Sequence, residues 1–178
     1  MDIFGYVFLN SIALTLIFAG VAKMLSFTNT IDTIIKIGIF PKKISKAVGV
    51  FMPLFEITTA GFLIIKLNKL IVILILGYLL FFIGLNFKYA MEKKEIKCCC
   101  YGKFIESRLG KSGLIHYSYL LVLFGIGYMC INKSIINTLN LYEIHGFEVS
   151  VIIVISFVLM INGFLIRSMF EKFGVKEW

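Results

Sequence analysis

Apolar residues fill five runs along the chain, each bounded by charged or polar residues. They are Ile3 to Ala22, Ala47 to Ile65, Leu70 to Phe87, Ser112 to Ile131 and Val149 to Ile166. Each run is roughly 20 residues, enough at 1.5 Å per residue for a helix to cross a hydrocarbon core about 30 Å thick. Between the first two runs, Ser26 to Lys46 is mixed and carries Asp32, Lys36, Lys42, Lys43 and Lys46. Within it Ile31, Ile34, Ile35, Gly38 and Ile39 recur at helical spacing, which predicts a short amphipathic helix at the membrane surface, closed by Pro41. The second and third runs are separated only by Lys66 to Lys69, so their helices are expected to be antiparallel neighbours. Gly77 and Gly84 share one face of the third run and predict a packing groove there. Lys88 to Lys111 is the longest polar segment, and no repeat or low-complexity tract interrupts the pattern. The expected fold is an all-α integral membrane protein in one domain, residues 1–178. It has a four-helix transmembrane core, a fifth transmembrane helix, and a short amphipathic interfacial helix between helices 1 and 2.

Composition supports this pattern. Hydrophobic residues make up 60% of the 178 and charged residues 16%, against about 45–50% and about 25% in soluble chains. The mean hydropathy is +0.96. Met1 and Asp2 provide no basic leader and no small-residue cleavage site follows, so the first run reads as a retained helix. The net charge is +8, but the charges lie between apolar runs, which points to the lipid bilayer surface and away from nucleic acid. With five crossings, fifteen Lys and Arg residues fall on one side and Lys66, Lys69 and Lys133 on the other. The positive-inside rule then predicts an outside N-terminus and a cytoplasmic Lys88–Lys111 segment in a multi-pass protein of a bacterial-type plasma membrane.

That segment holds the densest chemistry, Lys97-Cys98-Cys99-Cys100-Tyr101-Gly102-Lys103. Thiolates are the nucleophiles of disulfide exchange, and flanking lysines favour them. A Cys98–Cys100 disulfide would close a small, strained and easily reduced ring, while Cys99 is a candidate to pair with a partner protein. Three consecutive cysteines are not the spread framework of a secreted fold. The alternatives are an acylated or inert juxtamembrane cluster, or a soft-metal site completed by His116; the absence of C-x₂-C spacing disfavours zinc. Beside Tyr117 and Tyr119, His116 reads as an interfacial residue next to an aromatic belt. Cys130 is expected at the opposite membrane face as a packing residue.

Glu56 falls inside the second run, where a carboxylate must be paired or protonated. Lys23, at the end of helix 1 on the same side, is its natural partner, and Pro53 is placed to disturb the helix between them. The pair is either an intramembrane proton or quinone site or a structural ion pair. Asn86, close to the cysteine segment, is positioned to bond across helices.

Three motifs in order complete the reading. Phe18-Ala19-Gly20-Val21-Ala22-Lys23-Met24-Leu25 resembles the A-G-x-x-K-[LM] end of the first helix of DoxX/MauE-type membrane proteins. Pro53-Leu54-Phe55-Glu56 with Gly61 resembles their P-x-x-E-x₄-G second helix, and Cys98-Cys99-Cys100-Tyr101-Gly102 is similar to the C-x-C-[FY]-G motif of the MauE branch. The resemblance covers roughly residues 3–131 and leaves the fifth helix as an extension. It implies a four-helix membrane core that works with thioredoxin-like proteins, in a family linked to methylamine utilisation. In that analogy Cys98 and Cys100 are the redox pair, and Lys23 and Glu56 line the bundle. Disulfide formation belongs outside the cytoplasm, whereas the charge count puts the cysteines inside, where they would take electrons from cellular thiols. The leading expectation is therefore a membrane component of a thiol–disulfide redox system that exchanges electrons between a thioredoxin-like partner and the membrane, with a quinone as candidate cofactor. A non-enzymatic accessory or immunity-type membrane protein is the second reading, and a small transporter or metal-handling protein the third.

Overall fold

The computed structural model describes residues 2–65, 68–92, 97–98, 107–131 and 146–174. Six helices occupy nearly all of them: α1 Asp2–Leu25, α2 Phe27–Ile37, α3 Lys42–Ile65, α4 Lys69–Met91, α5 Lys111–Cys130 and α6 Gly146–Gly174. A two-residue strand pair, β1 Lys97–Cys98 and β2 Ser107–Arg108, runs antiparallel with Lys97 opposite Arg108 and Cys98 opposite Ser107. Five helices are long and apolar enough to cross a membrane: all but α2.

The first helix is the hub. It packs against α3, α5 and α6, while α4 packs mainly on α5, and α2 on α3. Over its spanning window α1 is 56% buried within the protein and α6 only 17%. Ile12, Ala13 and Leu16 of α1 meet Ile75, Leu79 and Phe82 of α4 and Leu120, Leu123 and Phe124 of α5 in one apolar core. Glycines permit the closest approaches. A Cβ on Gly20 would lie 2.7 Å from Ile57 and 3.0 Å from the Pro53 carbonyl, and one on Gly127 would lie 3.1 Å from Phe8. Such small-residue contacts are how membrane helices gain packing when lipid is as apolar as their side chains. Outward, Phe51, Phe62, Leu70, Ile73, Val154 and Leu165 are exposed. An apolar surface this continuous calls for lipid as its solvent, and the protein is a multi-pass membrane protein.

The helices outrun the apolar runs. The third helix starts at Lys42 rather than Ala47, with the Ser45 N–H bonded to the Pro41 carbonyl at 2.9 Å. The fourth continues to Met91 and the sixth to Gly174. Charge marks where hydrocarbon ends, whereas backbone hydrogen bonding continues into the interface. The predicted amphipathic helix is α2, but Gly38 ends it before Pro41, adopting φ +69° and donating its N–H to the Ile35 carbonyl. Only glycine takes that conformation without a Cβ penalty. The fully buried residues of α2 are Thr30 and Thr33, and its isoleucines sit half-buried beside them. The expected groove at Gly77 and Gly84 is absent: a Cβ at either would meet nothing within 4 Å. The glycine face of α4 points outward because Ile71, Ile75, Leu79 and Phe82 supply its buried stripe.

One end of the bundle gathers the functional candidates. The Tyr89 hydroxyl near the end of α4 donates to the Ile37 carbonyl at the end of α2, 2.8 Å away. The β1 strand lies against α2, and β2 against α5 and α6. The ends of α2 and α6 and the start of α5 therefore converge on the strand pair, and Tyr89 ties the end of α4 to that of α2. Cys130 lies at the opposite end of α5, half-buried, about 29 Å away along a 20-residue helix.

Candidate functional site

Lys23, Glu56 and Tyr78 meet inside the bundle. The Lys23 ammonium and the Tyr78 hydroxyl both donate to Glu56 Oε1. Lys23 is 3% exposed and Glu56 0%. The pairing expected from the sequence is present, and tertiary packing adds the tyrosine. The local reasons are specific. Gly20 lets α1 close on α3 beside Pro53 and Ile57, which brings the next turn of α1, carrying Lys23, level with Glu56. Ser26 and Thr30 then fold α2 away from α1: the Ser26 N–H and the Thr30 hydroxyl both donate to the Lys23 carbonyl, at 3.2 and 3.4 Å. Pro53 is buried within an α3 that runs from Lys42 to Ile65, and its missing N–H removes one ladder bond a turn before the glutamate.

A carboxylate in hydrocarbon is tolerated only with charge and hydrogen-bond partners. Here one oxygen takes both. Glu56 Oε2 is buried and has no hydrogen-bond partner among the described residues. The site therefore holds a buried acceptor atom beside two donors, a combination suited to exchanging a proton or holding a small polar group.

Aromatic rings connect this cluster to α5 and α6. Tyr78 packs on Phe55 and Phe82 at centroid distances of 6.2 and 4.7 Å, and Phe82 stacks on Tyr117 at 4.9 Å. Tyr117 meets His116, which stacks on Phe164. His116 is thus an interior residue, 1% exposed, and not an interfacial one. Its Nδ1 lies 3.1 Å from the Gly163 carbonyl, and Gly163 admits the close approach, since a Cβ there would touch Tyr119 and His116. A lone histidine in a spanning segment, followed in the chain by a helix with a glycine one turn before an arginine, is the only sequence signal of this contact.

Asn86 is placed apart from the carboxylate, eight residues beyond Tyr78 and so about 12 Å along α4. It is fully buried. Its Nδ2 donates to the Phe82 carbonyl at 2.8 Å and its Oδ1 accepts the Gly110 N–H at 3.2 Å. The amide sits where a side chain on Gly113 would be, so it locks α4 to the start of α5. Gly110, at φ +130°, makes the turn from β2 into that helix.

Of the cysteine segment, the described residues hold the backbone of Cys98 in β1, while Cys99 and Cys100 lie outside them. The stem of the segment is well tied. Glu171 Oε1 of α6 accepts the Arg108 N–H at 2.9 Å and the Ser112 hydroxyl at 3.4 Å, and lies 3.6 Å from Arg167 Nε. Arg167 itself is 1% exposed. Sequence reasoning assigned Tyr78, Arg167 and Glu171 no role, because nothing local distinguishes them from belt and tail residues.

No curated protein and no solved structure matches the chain. The family match is broad and ends where α5 ends, which leaves α6 outside it. The model of the family described as methylamine utilisation protein MauE matches residues 1–131, from α1 through the cysteine segment to the end of α5, and the chain belongs to that family.

Proposed function

We propose that this protein is the membrane component of a thiol–disulfide redox system, with Cys98 and Cys100 as the exchanging pair and Cys99 as the cysteine offered to a partner. The observation that carries the reading is the position of β1, whose Cys98 backbone is paired to a stem anchored on α5 and α6 at the end of the bundle where Lys23 closes α1. Membership of the MauE family supports it. In the exchange, a thiolate of a thioredoxin-like partner attacks the Cys98–Cys100 disulfide through a mixed disulfide. The partner dithiol becomes a disulfide, Cys98 and Cys100 become thiols, and two electrons and two protons have moved to this chain. Lys97 and Lys103 flank the thiols and favour the reactive thiolate form.

Re-oxidation requires an acceptor for two electrons and two protons, and a quinone in the bilayer has that chemistry. The fit of the buried cluster to such a group is chemical. The Lys23 ammonium is a donor of the kind a quinone carbonyl accepts, and Glu56 Oε2 is an unused acceptor of the kind a quinol hydroxyl requires. Lys23, Glu56 and Tyr78 would hold its head group. Glu56 would be the group that takes and returns its protons, and the rings of Phe55, Tyr78 and Phe82 pack beside the pair. The charge count favours the cytoplasmic side of a plasma membrane for the cysteine segment, where cellular dithiols would be the electron source.

Differential alkylation in intact cells tests the proposal. Thiols are blocked, disulfides are reduced, and the new thiols take a mass tag. Cys98 and Cys100 are expected to divide between the two states and to shift toward thiol when the cell is given a permeant dithiol. Cysteines that remain reduced under all growth conditions refute the redox reading, and reaction with an impermeant maleimide from outside refutes the cytoplasmic placement.

A further inference from the structure

We infer that α6, which lies beyond the family-matched residues, acts as a positioning element for β1 and its Cys98 through a Glu171–Arg167 clasp on the β2 stem. The inference rests on the thiol reading above and adds to it the device that sets the register of β1.

The contacts between α5 and α6 run in antiparallel register along one seam. The Tyr119 hydroxyl donates to the Leu159 carbonyl at 3.1 Å, His116 Nδ1 meets the Gly163 carbonyl at 3.1 Å, and Glu171 Oε1 reaches Ser112 and the Arg108 N–H. Polar contacts of this kind specify register, which apolar packing against lipid-like neighbours does not. The seam ends on β2. The Glu171 carboxylate stands at the amino-terminal end of α5, where it accepts a backbone N–H and faces the positive end of the helix dipole. On the same turn of α6, the fully buried Arg167 places Nη2 3.5 Å from the Arg108 carbonyl. Both backbone polar groups of Arg108 are thereby engaged by α6. Arg108 is the residue paired with Lys97, and the next pair in the ladder is Ser107 with Cys98. A two-residue ladder is too short to hold itself, so its register depends on what anchors the stem. Asn86 anchors the end of the stem from α4 by accepting the Gly110 N–H, and α6 supplies the rest.

The clasp is tested by the rate at which Cys98 alkylates, in the full-length, fully reduced protein in membranes. A Cys99→Ser/Cys100→Ser background leaves Cys98 and Cys130, distinguished by peptide mass. Removing the carboxylate with Glu171→Ala is expected to change the Cys98 rate by about tenfold, the effect of losing a charged hydrogen bond that holds the stem closed. Cys130, at the other end of α5, keeps its rate. Glu171→Gln retains an acceptor for the Arg108 N–H and is expected to leave a smaller change than the alanine variant. It also serves as the measured variant if the alanine protein does not accumulate, with a change of about threefold in Cys98 alone. An unchanged Cys98 rate in both variants overturns the inference, as does an equal change at Cys98 and Cys130, which would mean general loosening. Because the assay reads reduced protein, a chain whose thiols never cycle in cells can still pass it. Failure of the redox reading and failure of the clasp are therefore separate results.

Discussion

Replacing Lys23 with methionine is the most informative perturbation of the buried cluster. The substitution keeps the length of the side chain and removes the charge facing Glu56, which is 0% exposed and shares Oε1 between Lys23 and Tyr78. Removing one partner of a buried ion pair costs about 3–5 kcal/mol, because the remaining charge stays desolvated. For a chain of this size that lowers the thermal midpoint by roughly 6–20 °C, at about 2–4 °C per kcal/mol. Glu56→Leu alone strands the ammonium and is expected to cost a similar amount. The double variant Lys23→Met/Glu56→Leu leaves no charge to solvate, and replacing a whole buried pair with apolar side chains is commonly neutral or better. The expected result is two unstable single variants and a double variant close to wild type, a coupling of about 6 kcal/mol or more. Thermal unfolding in detergent micelles, followed by helical circular dichroism, measures it. Simple additivity, with the double variant as unstable as the sum of the singles, would refute the pairing. A Lys23→Met midpoint within about 2 °C of wild type would refute it as well. The same double variant separates structure from function: a folded protein that no longer re-oxidises Cys98 and Cys100 gives the cluster a role beyond holding α1 to α3.

Two further outcomes follow from close contacts at the stem end. Gly113→Ala drives a methyl into the Asn86 amide and is expected to cost about 1–3 kcal/mol, read as a lower thermal midpoint that Asn86→Ala partly restores in the double variant. Tyr89→Phe removes the hydrogen bond to the Ile37 carbonyl and should cost about 1 kcal/mol. Its effect is local, and hydrogen exchange of the α2 amides is expected to accelerate while exchange in α5 stays unchanged.

The membrane class, the five crossings and the Lys23–Glu56 pairing were legible in the chain. Each rests on a strong local cost: an apolar run long enough to span hydrocarbon, and a carboxylate that cannot lie in lipid without a cation. The amphipathic segment was legible for the same reason, though its end was not. Pro41 was the obvious stop, yet the left-handed glycine at Gly38 ends α2, since a helix terminates where its last carbonyls can be satisfied.

What only the tertiary structure decided is which side chains face inward. Apolar composition is the same on both faces of a lipid-exposed helix, so no hydrophobic period separates core from surface. That is why Gly77 and Gly84 read as a packing groove and proved to face outward, while Gly20, Gly113 and Gly127 form the real close approaches. It is also why Tyr78, Arg167 and Glu171 carried no signal, and why His116 read as interfacial. Their roles come from partners at least 22 residues away, except the Arg167–Glu171 pair, whose function depends on a stem 59 to 63 residues earlier. The chain by itself determined that polar groups in its spanning segments must find partners; the packing of α1 against α3, and of α6 against α5, determined which.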